Sequence, residues 1–214
     1  MTARVAIEET SPADRRRRKV REAIIDAAEA IFSKEGEGGI SMRRLAEAID
    51  YSPAAIYKYF SSKDDLFTSI RELFFERLMN RIGEAMDEGG EVRVLTSRCM
   101  RAYMETGMEE PNHYRMAFGA PHLEEHQHSL ENEKAAYDAE QALVGMIDQG
   151  MQEGLFRQVD PRVASKSVWA SLHGLTMLLV SLDDFPNGMP GSEHVTRDQV
   201  LDFHTEMIIR GLAV

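Results

Sequence analysis

Apolar residues recur along this chain at intervals of three and four, the period that places side chains on one face of a helix. Val20, Ile24, Ala27, Ala28, Ile31 and Phe32 form one such stripe. Its helix starts at Ser11-Pro12-Ala13-Asp14: a capping hydroxyl, a proline in the first turn and an acid at the positive end of the helix dipole. It runs to about Lys34, and Gly36-Glu37-Gly38-Gly39 stops it. Met42, Leu45, Ala46 and Ile49 make a shorter stripe after Ser41, and Asp50-Tyr51 breaks it. Ser52 then caps a second short helix with Pro53 in the first position, where a missing N–H costs nothing. Ile56 and Phe60 face inward there, which leaves Tyr57, Lys58 and Tyr59 for other work. Ser61 to Asp65 opens a long helix, with Ser62 and Asp65 as a capping box, and Leu66, Ile70, Leu73, Phe74, Leu78 and Ile82 turned inward.

Beyond Gly89-Gly90 the same period continues. Helices are expected over 92–107, 123–151, from a cap at Asp160-Pro161 to about Leu182, and over 197–212. The stretch from Pro111 to Pro121 is irregular or a short helix, and 183–196, with two prolines and two glycines, is a loop. No alternating strand pattern and no internal repeat emerges, so the expected fold class is all-α.

The 214 residues are 43% hydrophobic and 29% charged, the balance of a globular protein. The longest nearly uncharged run, from Val168 to Leu182, is short of the roughly 20 residues of a membrane span. The N-terminus carries no apolar secretion signal, and the single cysteine, Cys99, excludes an internal disulfide framework. A cytoplasmic location is the expectation. Net charge is −11, which argues at first against a nucleic-acid partner. The distribution reverses that: residues 1–60 are net +1, residues 61–214 net −12, and Arg15 to Lys19 with Arg21 form one basic cluster. Contact with phosphate depends on local charge, so a basic head on an acidic body is compatible with DNA.

Two short helices, a tight turn and a polar, aromatic second helix over Ser41 to Leu66 form a helix-turn-helix, whose second helix fits the DNA major groove. The register goes further. AIIDAAEAIFSKEG followed by SMRRLAEAIDYSPAAIYKYFSSKDDLF resembles the DNA-binding part of the TetR family of bacterial transcriptional regulators, over about Val20 to Leu73. The Tyr57/Phe60 step followed by Ser-Lys-Asp-Asp-Leu is its distinctive piece. Trp169, His173 and Gly174 within VWASLHGLTMLL resemble the tryptophan-histidine-glycine (WHG) type of C-terminal domain in that family. Two positions depart from the pattern. Asp50 stands where glycine is frequent at the turn, and Tyr51 where a small aliphatic residue is common. Asp tolerates the left-handed conformation better than most residues, so the turn survives.

The resemblance implies an all-α protein: an N-terminal three-helix helix-turn-helix module followed by a helical ligand-binding and dimerisation domain. The expected boundaries are an arm at 1–14, a DNA-binding domain at 15–65 and an effector-binding and dimerisation domain at 66–214. It implies a homodimer on a palindromic double-stranded DNA operator, released by a small-molecule effector, and mostly repression. Ser52, Ala54, Ala55, Tyr57 and Lys58 would line the recognition helix. Small alanines let a helix sink deep and touch thymine methyls. Tyr57 and Lys58 reach phosphate, with packing on the neighbouring helix as the alternative for Tyr57; Tyr59 suits either side equally. Lys63, at a helix N-terminus, can hold a phosphate together with backbone N–H groups. Ser41, Arg43 and Arg44 start the first helix of the pair, where the backbone of DNA passes. The Arg15–Arg21 cluster is either a solvated helix start or an arm on DNA.

In the C-terminal body, Tyr103, Met104, Met108 and Met116 are candidate pocket residues, with Phe118, Tyr137, Trp169 and His173. Ordinary core packing is the competing role for each of them. Two apolar stripes suggest a four-helix dimer interface: Val168, Leu172, Leu175 and Leu179 on one helix, Val200, Phe203, Met207 and Ile208 on the last, with Gly174 allowing close approach. His122 and His126 share a helix face at a spacing that permits a metal, but His128 points away and the neighbours are polar, so no metal and no cofactor is expected. No nucleophile elbow or glycine-rich phosphate loop occurs, which argues against an enzyme. A DNA-binding dimer without a ligand is the remaining alternative. The scarcity of charged candidates in the body points to a largely apolar effector.

Overall fold

The computed structural model describes residues 11–118, 130–188 and 190–214, with the side chains of 130–136 left aside. The described chain is helical throughout, with one isolated bridge between Phe156 and Ala213 in place of any strand. In order the helices are α1 (Pro12–Glu35), a single 3-10 turn (Glu37–Gly39), α2 (Met42–Ala48), α3 (Pro53–Ile56), α4 (Lys63–Asp87), α5 (Val92–Glu109), α6 (Pro111–Phe118), α7 (Leu130–Gln152), α8 (Pro161–Ser181) and α9 (Arg197–Leu212). The chain divides into two compact units, Met1–Ile70 and Arg71–Val214.

Capping explains where the helices begin. At α1, Ser11 Oγ accepts from Asp14 N at 3.1 Å while the Asp14 carboxylate accepts from Ser11 N at 3.2 Å, a complete capping box. Asp160 caps α8 with Pro161 in the first turn, and Thr196 and Gln199 box α9. At α4 the reciprocal bond is displaced by one residue: Ser62 Oγ accepts from Asp65 N, but the Asp65 carboxylate accepts from Ser61 N at 2.8 Å.

The first unit closes over Ile24, Ala28, Phe32, Leu45, Ile56, Phe60, Leu66 and Ile70, all but inaccessible to solvent. Phe32 meets Phe67 edge to face at 5.8 Å. Arg21 braces this unit from outside its core. Its Nη2 donates to Ser69 Oγ at 2.8 Å and its guanidinium lies 4.9 Å from the centre of the Phe60 ring. One member of the basic cluster is therefore occupied within the unit, while Arg15 to Lys19 are exposed.

In the second unit α8 packs on α5, α6 and α7, and α9 packs on α5. Fully buried Met104, Tyr114, Ile147 and Leu201 mark the centre. Arg101 on α5 holds α9 through Asp198 and Asp202 and also pairs with Glu105 on its own helix. The segment after α7 is tied to the C-terminus, with Arg157 N donating to Leu212 O at 2.8 Å. By length and composition α8 passes the test for a membrane span, and it runs longer than the apolar run seen in the sequence. Its Ala164, Val168, Leu172, Leu175 and Leu179 nevertheless build the core of this unit.

Candidate functional site

The turn between α2 and α3 is closed by a Schellman motif. Asp50 takes the left-handed conformation, φ 57°, Tyr51 N donates to Ala46 O at 2.8 Å and Asp50 N to Glu47 O at 3.5 Å. Aspartate thus does the work for which glycine is the commoner choice. Ser52 follows at once as the cap of α3, its Oγ accepting from Ala55 N at 3.3 Å. The α-helical part of α3 ends at Ile56, shorter than the sequence pattern suggests. Tighter bonds, Lys58 N to Ala55 O and Tyr59 N to Ile56 O, carry the chain on and let Phe60 turn into the core.

These bonds sort the candidate DNA-contacting residues. Ala54, Tyr57 and Lys58 are exposed, Tyr57 to 54%, while Ala55 and Tyr59 are half-buried. Arg43 is exposed and pairs with Glu47 at 2.9 Å. Arg44 is engaged inside the unit: it grips both oxygens of Glu35 at 2.6 Å and donates to Gly39 O at 3.0 Å. That bond holds the Glu35 carboxyl below the usual range. Ser41 and Ser52 use their hydroxyls as helix caps. Lys63 donates to Glu37 O at 3.2 Å and sits 5.0 Å from the centre of the Phe67 ring. Tyr51, absent from the candidate set, is 41% exposed beside the turn. The resulting exposed face comprises Arg43, Tyr51, Ala54, Tyr57 and Lys58.

The second unit holds a cavity of about 300 Å³ between α4, α5, α7 and α8. Of the eight candidate pocket residues, Tyr103, Phe118 and Trp169 line it. Met104 and Met116 are buried core, Met108 is half-buried and Tyr137 is 60% exposed. His173 stands behind the wall, its ring stacked on Trp169 at 5.4 Å and 15°. The apolar wall continues with Phe75, Met79, Met100 and Leu143, none of which was among the candidates.

A buried polar chain backs this wall. The Tyr103 and Tyr114 hydroxyls lie 2.9 Å apart, and Tyr114 Oη is 2.8 Å from His173 Nδ1. Burial pushes the Tyr103 phenol up to about 12 and raises Tyr114 further, while it lowers His173 below the usual histidine value. All three are uncharged near neutrality. Cys99 also lines the cavity, and burial raises its thiol. It is expected to react with a small aromatic disulfide at least about tenfold more slowly in the folded protein than in denaturant. Equal rates, followed by thiolate release, would contradict its burial.

The two stripes expected at a dimer interface behave differently from each other. Val168, Leu172, Leu175 and Leu179 are at most 8% exposed and belong to the protomer's own core, which corrects their assignment to an interface. The reason is the number of helices around α8: packed against α5, α6 and α7, it spends its most regular stripe inward. On α9, Val200 and Ile208 also lean on the core, but Phe203 is 73% and Met207 49% exposed. The outward apolar residues at the end of α8 are Leu178 and Leu182, at 45% and 50%, and a Cβ added to Gly174 would meet open space. Ser171 Oγ on α8 lies 3.1 Å from His204 Nε2 on α9. His122, His126 and His128 lie outside the described residues, and no metal-binding cluster occurs among the described ones.

Comparison with known proteins agrees with this architecture. Residues 24–70 match the model of bacterial regulatory proteins of the tetR family, and residues 97–203 match that of the tetracyclin repressor-like C-terminal domain. The nucleoid occlusion factor SlmA of Vibrio cholerae is 41% identical over 69 residues, which is 32% of this chain and 35% of that protein. The match therefore spans about a third of SlmA. The HTH-type transcriptional repressor KstR2 of Rhodococcus jostii is 23% identical over 206 residues, 90% of this chain and 91% of the relative. A solved protein of unknown function from Rhodococcus sp. RHA1 has the same fold, with a TM-score of 0.77, 21% identity and coverage of 99% of this chain and 100% of the other.

Proposed function

The chain belongs to the TetR family of bacterial regulatory proteins, and on that premise we propose that it is a homodimeric repressor released from its operator by a small apolar molecule. The observation that carries the DNA half of this reading is the exposed face of the first unit. Ala54, Tyr57 and Lys58 project from a turn and helix held rigid by the Schellman motif, the Ser52 cap and the buried Ile56 and Phe60. Small residues at the tip admit close approach to bases, and the tyrosine and lysine supply phosphate contacts at its edge. The full-length relative KstR2 is named a repressor, which favours repression over activation. The cavity in the second unit, walled mostly by apolar side chains, supports an apolar effector. In this reading 15–65 binds DNA and 66–214 binds effector and dimerises. A protein that acts on the bacterial chromosome works in the cytoplasm.

Fluorescence anisotropy with DNA from upstream of the protein's own gene tests the reading. Binding should weaken steeply between low and moderate salt. Lys58→Ala should weaken it on every sequence and reduce the slope of log affinity against log salt by about 1 per bound module. Affinity indifferent to salt and to this substitution would overturn the assignment of the face.

A further inference from the structure

We propose that the cavity selects an apolar molecule bearing one uncharged oxygen, a ketone or an alcohol, over a carboxylate of the same shape. This deepens the effector reading above and rests on it. Two buried hydroxyls on the wall carry the proposal. Ser165 is 2% exposed and lines the cavity, and no hydrogen bond of its hydroxyl occurs among the described residues. A hydroxyl that opens on a mostly apolar cavity with no partner among the described residues marks a place where a ligand atom gains by arriving. Tyr103 is the second. Its contacts with Tyr114 and with Trp169 use two of its three hydrogen-bonding positions and leave one for a ligand. The onward contact from Tyr114 to His173 holds the phenol at the end of a fixed chain.

Charge on the wall points the same way. Among the described residues the cation that lines the cavity, Lys166, is paired at 3.0 Å with Glu140, which lines it too. A carboxylate arriving there has to displace an anion that stays nearby, and elsewhere it meets mainly apolar carbon. His173 adds no positive charge behind the wall, since burial lowers its pKa. Thr96, the third hydroxyl on the wall, donates to Val92 O at 2.7 Å and so has already committed its proton. A neutral oxygen escapes the desolvation cost of an ion and still satisfies Ser165 and Tyr103.

Trp169 is the single tryptophan of the chain and lines the cavity, so its emission reports occupancy. The probes are 2-undecanone and decanoate, which differ by a methyl group in place of one carboxylate oxygen. They are titrated into the full chain at about pH 7.5, where decanoate is ionised. The ketone is expected to bind at least about tenfold more tightly. Ser165→Ala and Tyr103→Phe, each conserving shape, should weaken the ketone about fivefold to tenfold and leave decanoate unchanged. Helical circular dichroism checks each variant. If one does not fold, the other variant and the wild-type ratio still decide. Equal binding of both probes, or decanoate binding that is tighter and lost in Lys166→Gln, overturns the proposal and leaves the effector reading standing. If neither probe alters Trp169 emission or gives heat in calorimetry, the effector reading falls and the proposal with it.

Discussion

Phe203→Glu is expected to convert the protein from dimer to monomer and to weaken operator binding by about two orders of magnitude or more. Phe203 and Met207 stand one turn apart on the outer face of α9, 73% and 49% exposed. Gly174, Leu178 and Leu182 stand four residues apart at the end of α8, and a Ser171–His204 contact links α8 to α9. An aromatic ring left this exposed beside further apolar side chains marks a surface meant for a partner. In a two-fold interface every residue occurs twice, so one substitution buries two carboxylates in apolar surroundings and sets them near each other. The loss on DNA follows from geometry. A dimer binds its second half-site at a high effective concentration, and a monomer forfeits that gain of about 10²–10⁴. Sedimentation velocity and anisotropy measure the two halves of the prediction. Since the side chain lies outside the protomer core, helical circular dichroism should not change. A Phe203→Glu protein that remains a dimer with undiminished affinity would refute this interface.

The second large effect is on stability, and it is a contrast within one helix. Gly150→Ala in α7 should destabilise the fold by about 2–3 kcal/mol, because the new Cβ would lie 2.2 Å from Cδ2 of the buried Phe156 ring. Gly145→Ala, five residues earlier in the same helix, should stabilise it by about 0.5–1 kcal/mol. Its added Cβ meets nothing within 4 Å, so only the gain in helix propensity remains. For a chain of this size the first change corresponds to a fall in Tm of about 4–12 °C and the second to a rise of about 1–4 °C. Phe156 follows the end of α7 and pairs with Ala213, so its ring is held in the crowded position by the C-terminus as well. Thermal unfolding followed by circular dichroism reads both. Two shifts of the same sign would show that the glycines are not distinguished by packing.

Most helix ends were legible because they rest on local chemistry. Ser11, Ser52, Asp160 and Thr196 cap where the sequence placed starts, and Asp50 adopts the conformation the turn required. The exposure of the candidate DNA-contacting residues was less legible. Arg43 and Arg44 are neighbours of identical type, and only the second lies within reach of Glu35, nine residues away on another helix. The eight pocket candidates show the same limit. Tyr103 and Trp169 line the cavity, whereas Met104, with an equally suitable side chain, fills the core behind it.

The sequence by itself determined the helical class, the helix-turn-helix and the family, because capping, turn conformation and period act over a few residues along the chain. The tertiary structure decided which apolar face of α8 is core and which is outward. Both faces carry leucine at helical spacing, so periodicity cannot rank them, and only the helices packed around α8 choose. The cavity, too, exists only where α4, α5, α7 and α8 leave their side chains short of meeting, a volume that no single segment encodes.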